Sequence, residues 1–207
     1  MQRFIRELSS IVLLFVIIML VTPSGLGRNW NAVLLHAAAL FCIAVLITRF
    51  TGFAALVMPG IRRTLQHICL GAGYGVLVWI VIQAVIQAAV YLLGPQWMSD
   101  IPIYSTKDLR LAVVVPVQMM VGLREELVFR GYFQTRFTQL SGSRPNGIIT
   151  AGAFFAAAHI PLGTAVVILS FFGGLLFGWM RDTHRSVIPA GIAHGVYNCL
   201  SLLIPLV

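Results

Sequence analysis

The sequence predicts an all-α protein, a polytopic bundle of transmembrane helices, and three observations carry that prediction. Of the 207 residues, 59% are hydrophobic and only 10% charged, against about 45–50% and about 25% in an average soluble domain. The apolar residues fall in runs that approach or exceed the roughly 20 positions a helix needs to cross a bilayer. Clusters of Arg, Gly, Pro and Asn separate the runs. A chain surrounded by lipid must satisfy its own backbone polar groups, which a helix does within one segment.

The first run, 5–21, follows a basic start and so has the outline of a signal peptide, but TPSGLGRNW behind it offers no A-x-A-like cleavage site. It is read as a retained span. A second span covers 31–48. The stretch 49–64 is broken at Pro59–Gly60 and flanked by arginines, which suits an interfacial or re-entrant piece. Further runs at 66–93, 110–138, 147–160, 164–180 and 187–206 bring the total to about seven membrane segments. The pair 147–160 and 164–180 reads as a hairpin of two short helices joined through Pro161–Leu162–Gly163. No internal repeat and no low-complexity linker divides the chain, so 1–207 is one integral-membrane domain.

The formal charge of +8 does not imply nucleic acid, because the basic residues sit singly or in pairs between apolar runs rather than on one polar face with aromatics. They fit loops that obey the positive-inside rule, with lipid as the partner. With the N-terminus in the cytoplasm, Arg3, Arg6, Arg49, Arg62, Arg63, Arg136, Arg144, Arg181 and Arg185 lie inside, against Arg28, Lys107 and Arg110 outside. The compact chain suits a prokaryotic plasma membrane. Cys42, Cys69 and Cys199 lie in apolar runs without CxxC spacing and read as small core hydrophobes.

Two basic residues remain, Arg124 and Arg130, and they lie inside a span with Glu125 and Glu126. Each ionisable group at membrane depth costs about 2.5–3.5 kcal/mol on insertion scales and is by default paired or functional. Glu126 and Arg130 stand at i and i+4 with the acid N-terminal, the favourable order for an ion pair. Glu125 points about 100° away and meets Phe129 at its own i+4 position. His159 ends the run AGAFFAAAH, and His194 and Asn198 share one face of the last helix. At 1.5 Å per residue, Glu125 lies about 16 Å from Arg136, His159 about 20 Å from Asn146 and His194 about 14 Å from Arg185. All three flanks are cytoplasmic on this topology, so the polar groups share one layer.

A carboxylate, two imidazoles and a carboxamide in an apolar layer suit hydrolysis. Glu125 with His159 would activate water, and His194 with Asn198 would hold the oxyanion of a tetrahedral intermediate. Glu126 and Arg130 would support the helix. The bland reading is a salt-bridge cluster of Arg124, Glu125, Glu126 and Arg130, with histidines in ordinary interhelical hydrogen bonds.

In order along the chain, Glu125–Glu126–Leu–Val–Phe–Arg130, Phe155–Ala–Ala–Ala–His159 and His194–Gly–Val–Tyr–Asn198 match EExxxR, FxxxH and HxxxN. The chain therefore resembles the CPBP family, the CAAX proteases and bacteriocin-processing enzymes also called Abi, over a motif-bearing core at about 110–207. The resemblance implies a glutamate-dependent intramembrane endopeptidase in an all-helical bundle, acting on a membrane-associated protein or peptide. It implies Glu125 as base, with His159, His194 and Asn198 in the roles above. No cofactor is expected. There is no HExxH, and Asn is a poor zinc ligand; were a divalent metal such as zinc required, Glu125, His159 and His194 would be its ligands.

Two other functions stay open on the sequence. One is a scaffold or bacteriocin-immunity protein that keeps the motifs without proteolysis. The other is an ion or proton-coupled transporter, for which buried carboxylate and His would serve but for which no repeated halves are found. His36 reads as packing, His67 and His184 as interfacial, Gly71–Ala72–Gly73 and Gly173–Gly174 as close-packing stretches. Trp30, Trp97 and Trp179 read as interface anchors and Trp79 as packing.

Overall fold

Apolar runs rich in Leu, Ala, Val and Ile form helices among the described residues. The computed structural model describes residues 61–98 and 111–204, with Ala38 and Cys42. The expected spans 5–21 and 31–48, most of the 49–64 piece, His36, Trp30 and most of the 94–109 loop lie outside the described residues.

Helix α1 runs Ile61–Leu93 and is followed by a 3-10 turn at Pro95–Met98. Helix α2, Leu111–Glu126, continues through a wide π-turn at Leu127–Phe133 into α3, Gln134–Ser141. Helices α4, Arg144–Ala158, and α5, Thr164–His184, are joined by a 3-10 turn at Ile160–Leu162, and α6 runs Ile188–Leu203. The described residues are all-α. Helices α1 and α5 are each long and apolar enough to cross a membrane. Exposed Leu77, Ile80, Val81 and Val85 on α1 present the apolar face that lipid would solvate.

Local chemistry sets the breaks. Gly142, at φ 65°, ends α3 in the left-handed region, where glycine carries no Cβ penalty. Ser143 then caps α4 by accepting the Asn146 N–H at 3.4 Å. Helix α5 ends at Arg185, a non-glycine residue at φ 49°. Ser186 Oγ accepts the Ile188 N–H at 3.2 Å and starts α6. The sequence boundaries hold closely for the last three segments. At 49–64 they do not, since Ile61–Thr64 form the first turn of α1.

The α4–α5 hairpin forms as the Pro161–Leu162–Gly163 junction implies. Its closest approach is Gly152 against Gly174, where a Cβ on Gly174 would lie 2.9 Å from Gly152 Cα. Gly173 has no such contact. On α1 the packing residues are Gly71 and Gly75, whose Cβ positions would meet Ile192 and Val196 of α6 at 2.7 and 2.6 Å. Gly73 faces open space, because residues two apart on a helix point to different sides.

One end of the bundle collects polar groups. Arg181 donates to Thr135 Oγ1 at 2.6 Å, and Asp182 lies 3.6 Å from both Arg144 and Arg181. Near the same end His67 is buried and its ring packs 5.8 Å from that of His184, whose Nε2 lies 3.4 Å from the Tyr74 hydroxyl. These histidines thus pack on each other between α1 and α5. Of the cysteines, Cys199 is buried as expected, whereas Cys42 and Cys69 are exposed, on outward faces of their helices.

Candidate active site

Helix α2 carries the acidic pair at its end and the π-turn carries Arg130, and the two glutamates are held very differently. Glu126 and Arg130 are both fully buried, with Arg130 Nη1 donating to Glu126 Oε1 at 3.0 Å. This is the i,i+4 pair that the spacing predicts. The same Oε1 accepts from His194 Nδ1, also at 3.0 Å. Arg130 reaches further, donating through Nη2 to Gly174 O at 3.1 Å, and its guanidinium lies 4.5 Å from the Phe155 ring centre. One turn on, Gln134 Nε2 donates to Gly178 O at 3.1 Å. Residues 130 and 134 on one helix therefore clamp carbonyls 174 and 178 on another, each pair one turn apart. The missing Cβ atoms of those glycines leave room, since one on Gly178 would stand 3.1 Å from Gln134 Oε1.

Glu125 is held loosely by comparison. Its Oε2 lies 3.8 Å from His194 Nε2 and its Oε1 lies 3.5 Å from Arg124 Nη2. His194 thus stands between the two carboxylates, with one nitrogen on each. Since Glu126 is ion-paired and can only accept, His194 Nδ1 carries the proton of that bond. The Phe177 ring stacks on His194 at 5.0 Å with 17° between planes, which fixes the imidazole's tilt.

His159 closes α4. Its Nδ1 lies 2.8 Å from Phe155 O, and because a carbonyl can only accept, Nδ1 again carries the proton and Nε2 is left as an acceptor. The Phe155 ring packs 4.6 Å from the His159 ring and 5.7 Å, edge-on, from that of His194. FxxxH therefore has a local meaning. The Phe supplies a carbonyl that sets the His tautomer and a ring that spaces the two imidazoles. His159 also lies within Coulombic reach of Glu125.

Close packing of α2 on α6 makes the His194 contacts possible. A Cβ on Gly122 would collide with the Gly195 backbone nitrogen, and one on Gly195 would lie 2.7 Å from Met119 Sδ. Small residues at such a crossing let backbones approach and bring short side chains within reach.

Residues 107–200 match the family model described as type II CAAX prenyl endopeptidase Rce1-like. This segment is similar to the Rce1-like family. No curated protein and no solved structure matches the chain. The match spans all three motifs and agrees with the CPBP and CAAX protease resemblance drawn from them. That description is of an endopeptidase, a protease and hydrolase.

Within the matched segment, contacts run from Arg130 to Glu126, from Glu126 to His194 and from His194 to Glu125, and His159 joins them through Phe155. Asn198 stands one turn beyond His194 on α6, half-buried, and its carboxamide has no hydrogen-bond partner among the described residues. Spacing alone did not reveal the Glu126–His194 bond, the clamp by Gln134, or the roles of Phe155 and Phe177. A gap of 68 residues separates Glu126 from His194, and periodicity carries no signal over such a distance. As to metal, no three His, Cys, Asp or Glu side chains among the described residues are grouped to hold an ion.

Proposed function

We propose that this chain is an intramembrane endopeptidase that hydrolyses a peptide bond of a membrane-associated protein or peptide. The observation that supports it best is the asymmetry of the two glutamates. Glu126 is fully buried and takes both of its 3.0 Å bonds on Oε1, while Glu125 keeps 13% of its side chain exposed and has only a 3.5 Å and a 3.8 Å neighbour, so a water can reach it. A purely structural ion-pair cluster would lock both.

In the reaction, Glu125 accepts a proton from water as the water oxygen attacks the scissile carbonyl, and His159 Nε2 accepts that water's second hydrogen bond. His194, fixed by Glu126 and Phe177, faces Glu125 with Nε2 and receives a hydrogen bond once Glu125 is protonated. Asn198 donates its carboxamide N–H to the carbonyl oxygen as charge develops there. Collapse of the intermediate breaks the C–N bond and returns the proton from Glu125 to the leaving amine. Relative to the expectation from spacing, the Glu126 bond moves His194 toward the base and leaves Asn198 with the oxyanion. No step uses a metal. The family description names a prenyl endopeptidase, but this chemistry asks only for a peptide presented at the membrane, with the polar layer nearer the cytoplasm of a prokaryotic cell.

The test is cleavage of a quenched-fluorescent peptide library by the purified protein in detergent, comparing wild type with Glu125→Gln, each with and without a strong chelator. Cleavage should vanish in Glu125→Gln and survive the chelator. Equal cleavage by both proteins would refute the reading, and chelator-sensitive cleavage would require a metal. Ion flux in liposomes that depends on Glu125 without any cleavage would favour transport.

A further inference from the structure

The geometry points to Arg124 as a further catalytic residue, the cationic donor to the oxyanion. The inference rests on the hydrolytic reading above and concerns a residue outside the matched motifs. Its starting point is the donor inventory of the layer. His194 Nδ1–H is committed to Glu126 Oε1 and His159 Nδ1–H to the Phe155 carbonyl, at 3.0 and 2.8 Å. Both of these ring N–H groups are thereby taken. Neither of them is free to donate to an oxyanion. Arg130 is tied to Glu126 and Gly174.

Asn198 and Arg124 remain. The Arg124 side chain is 5% exposed, and its single polar contact among the described residues is the 3.5 Å approach of Nη2 to Glu125 Oε1. A guanidinium has five N–H donors, so most of this one's are uncommitted among the described residues. It stands beside the carboxylate that holds the attacking water, and the oxyanion forms on the carbonyl that this water attacks. Donors stabilise such an oxygen at about 2.7–3.1 Å. As the water oxygen bonds to the carbonyl carbon, the C=O π pair moves to oxygen, the water proton moves to Glu125, and Arg124 faces the new negative charge. When the C–N bond breaks, the pair returns to C=O and the Glu125 proton leaves with the amine. A buried, under-coordinated cation stabilises the charged state more than the neutral amide, which is the requirement for raising kcat.

The experiment uses the full chain in detergent and the best peptide from the library, with wild type, Glu125→Gln, Arg124→Met and Arg124→Lys. Arg124→Met should lower kcat by about 10²–10³-fold with KM within a few-fold, and Arg124→Lys should recover part of the loss. A phosphinic peptide of the same sequence, a tetrahedral anion, should lose affinity for Arg124→Met by a similar factor while the uncleaved amide does not. A purely structural Arg124 would not separate those two ligands. If Arg124→Met does not fold, Arg124→Gln carries the same comparison. Inactive Glu125→Gln beside Arg124→Met with wild-type kcat, or parallel loss of phosphinate and amide binding, overturns the Arg124 role and leaves the hydrolytic reading intact. Active Glu125→Gln overturns the hydrolytic reading itself.

Discussion

Replacing Arg130 by Met should destabilise the bundle strongly, and adding Glu126→Gln should restore much of the loss. Arg130 has no exposed surface, bonds Glu126 and Gly174 O at 3.0 and 3.1 Å, and lies 4.5 Å from the Phe155 ring centre. Methionine keeps part of the packing but leaves the Glu126 carboxylate buried without its cation. Removing one partner of a buried pair costs about 3–5 kcal/mol. At roughly 2–4 °C per kcal/mol for a chain of this size, the midpoint should fall by about 6–20 °C. Glu126→Gln in the same protein removes the stranded charge, and its amide oxygen can still accept from His194 Nδ1, so the double variant should recover more than half of the shift. The assay is the surviving monodisperse peak after heating in detergent, monitored by size-exclusion chromatography. A single variant within about 1 kcal/mol of wild type, or a double variant no better than the single, would refute the argument that charge compensation at Glu126 holds this helix.

Gly122→Val should push α2 off α6 because its Cβ meets the Gly195 backbone; overpacking costs about 1–3 kcal/mol, and peptide cleavage should fall with it. Gly73→Val, facing open space, is the matched control and should leave both melting and cleavage unchanged. Arg185→Gly should raise the midpoint by a few degrees, since Arg185 sits at φ 49°, where a Cβ costs roughly 1–2 kcal/mol. A lower midpoint on thermal melting would show that the Arg185 side chain contributes more than its backbone strain costs.

The locked and loose glutamates give the EExxxR pattern a division of labour. Adjacent positions on a helix diverge by about 100°, so two neighbouring carboxylates cannot take the same partners. The i,i+4 Arg takes the second Glu, and His194 bridges what the helix separates. The wide turn at Leu127–Phe133, with Gln134 N–H reaching back to Phe129 O, lies directly beyond the pair. Such turns recur where a helix must redirect side chains at a functional site.

Composition and periodicity by themselves determined that the described residues are helical, that two of their helices are long and apolar enough to cross a membrane, where the described helices run, and that Glu126 pairs with Arg130. These properties are local or additive, since helix rise, helical facing and transfer of apolar residues into lipid follow from short stretches of chain. The likeness to the Rce1-like family also followed from three short motifs. What only the tertiary structure decided was partnership across helices. His194 bonds Glu126 because Gly122 and Gly195 let two backbones nearly touch. Gln134 and Arg130 find Gly178 and Gly174 because those residues have no Cβ, and Gly71 pairs with Gly75 rather than Gly73 in facing α6. The Phe155 carbonyl and the Phe177 ring, which orient the histidines, look in the sequence like any other apolar residue. The physical reason is that such contacts depend on how helices rotate and approach one another. That is set by the fit of whole surfaces, and no window of sequence contains both sides of it.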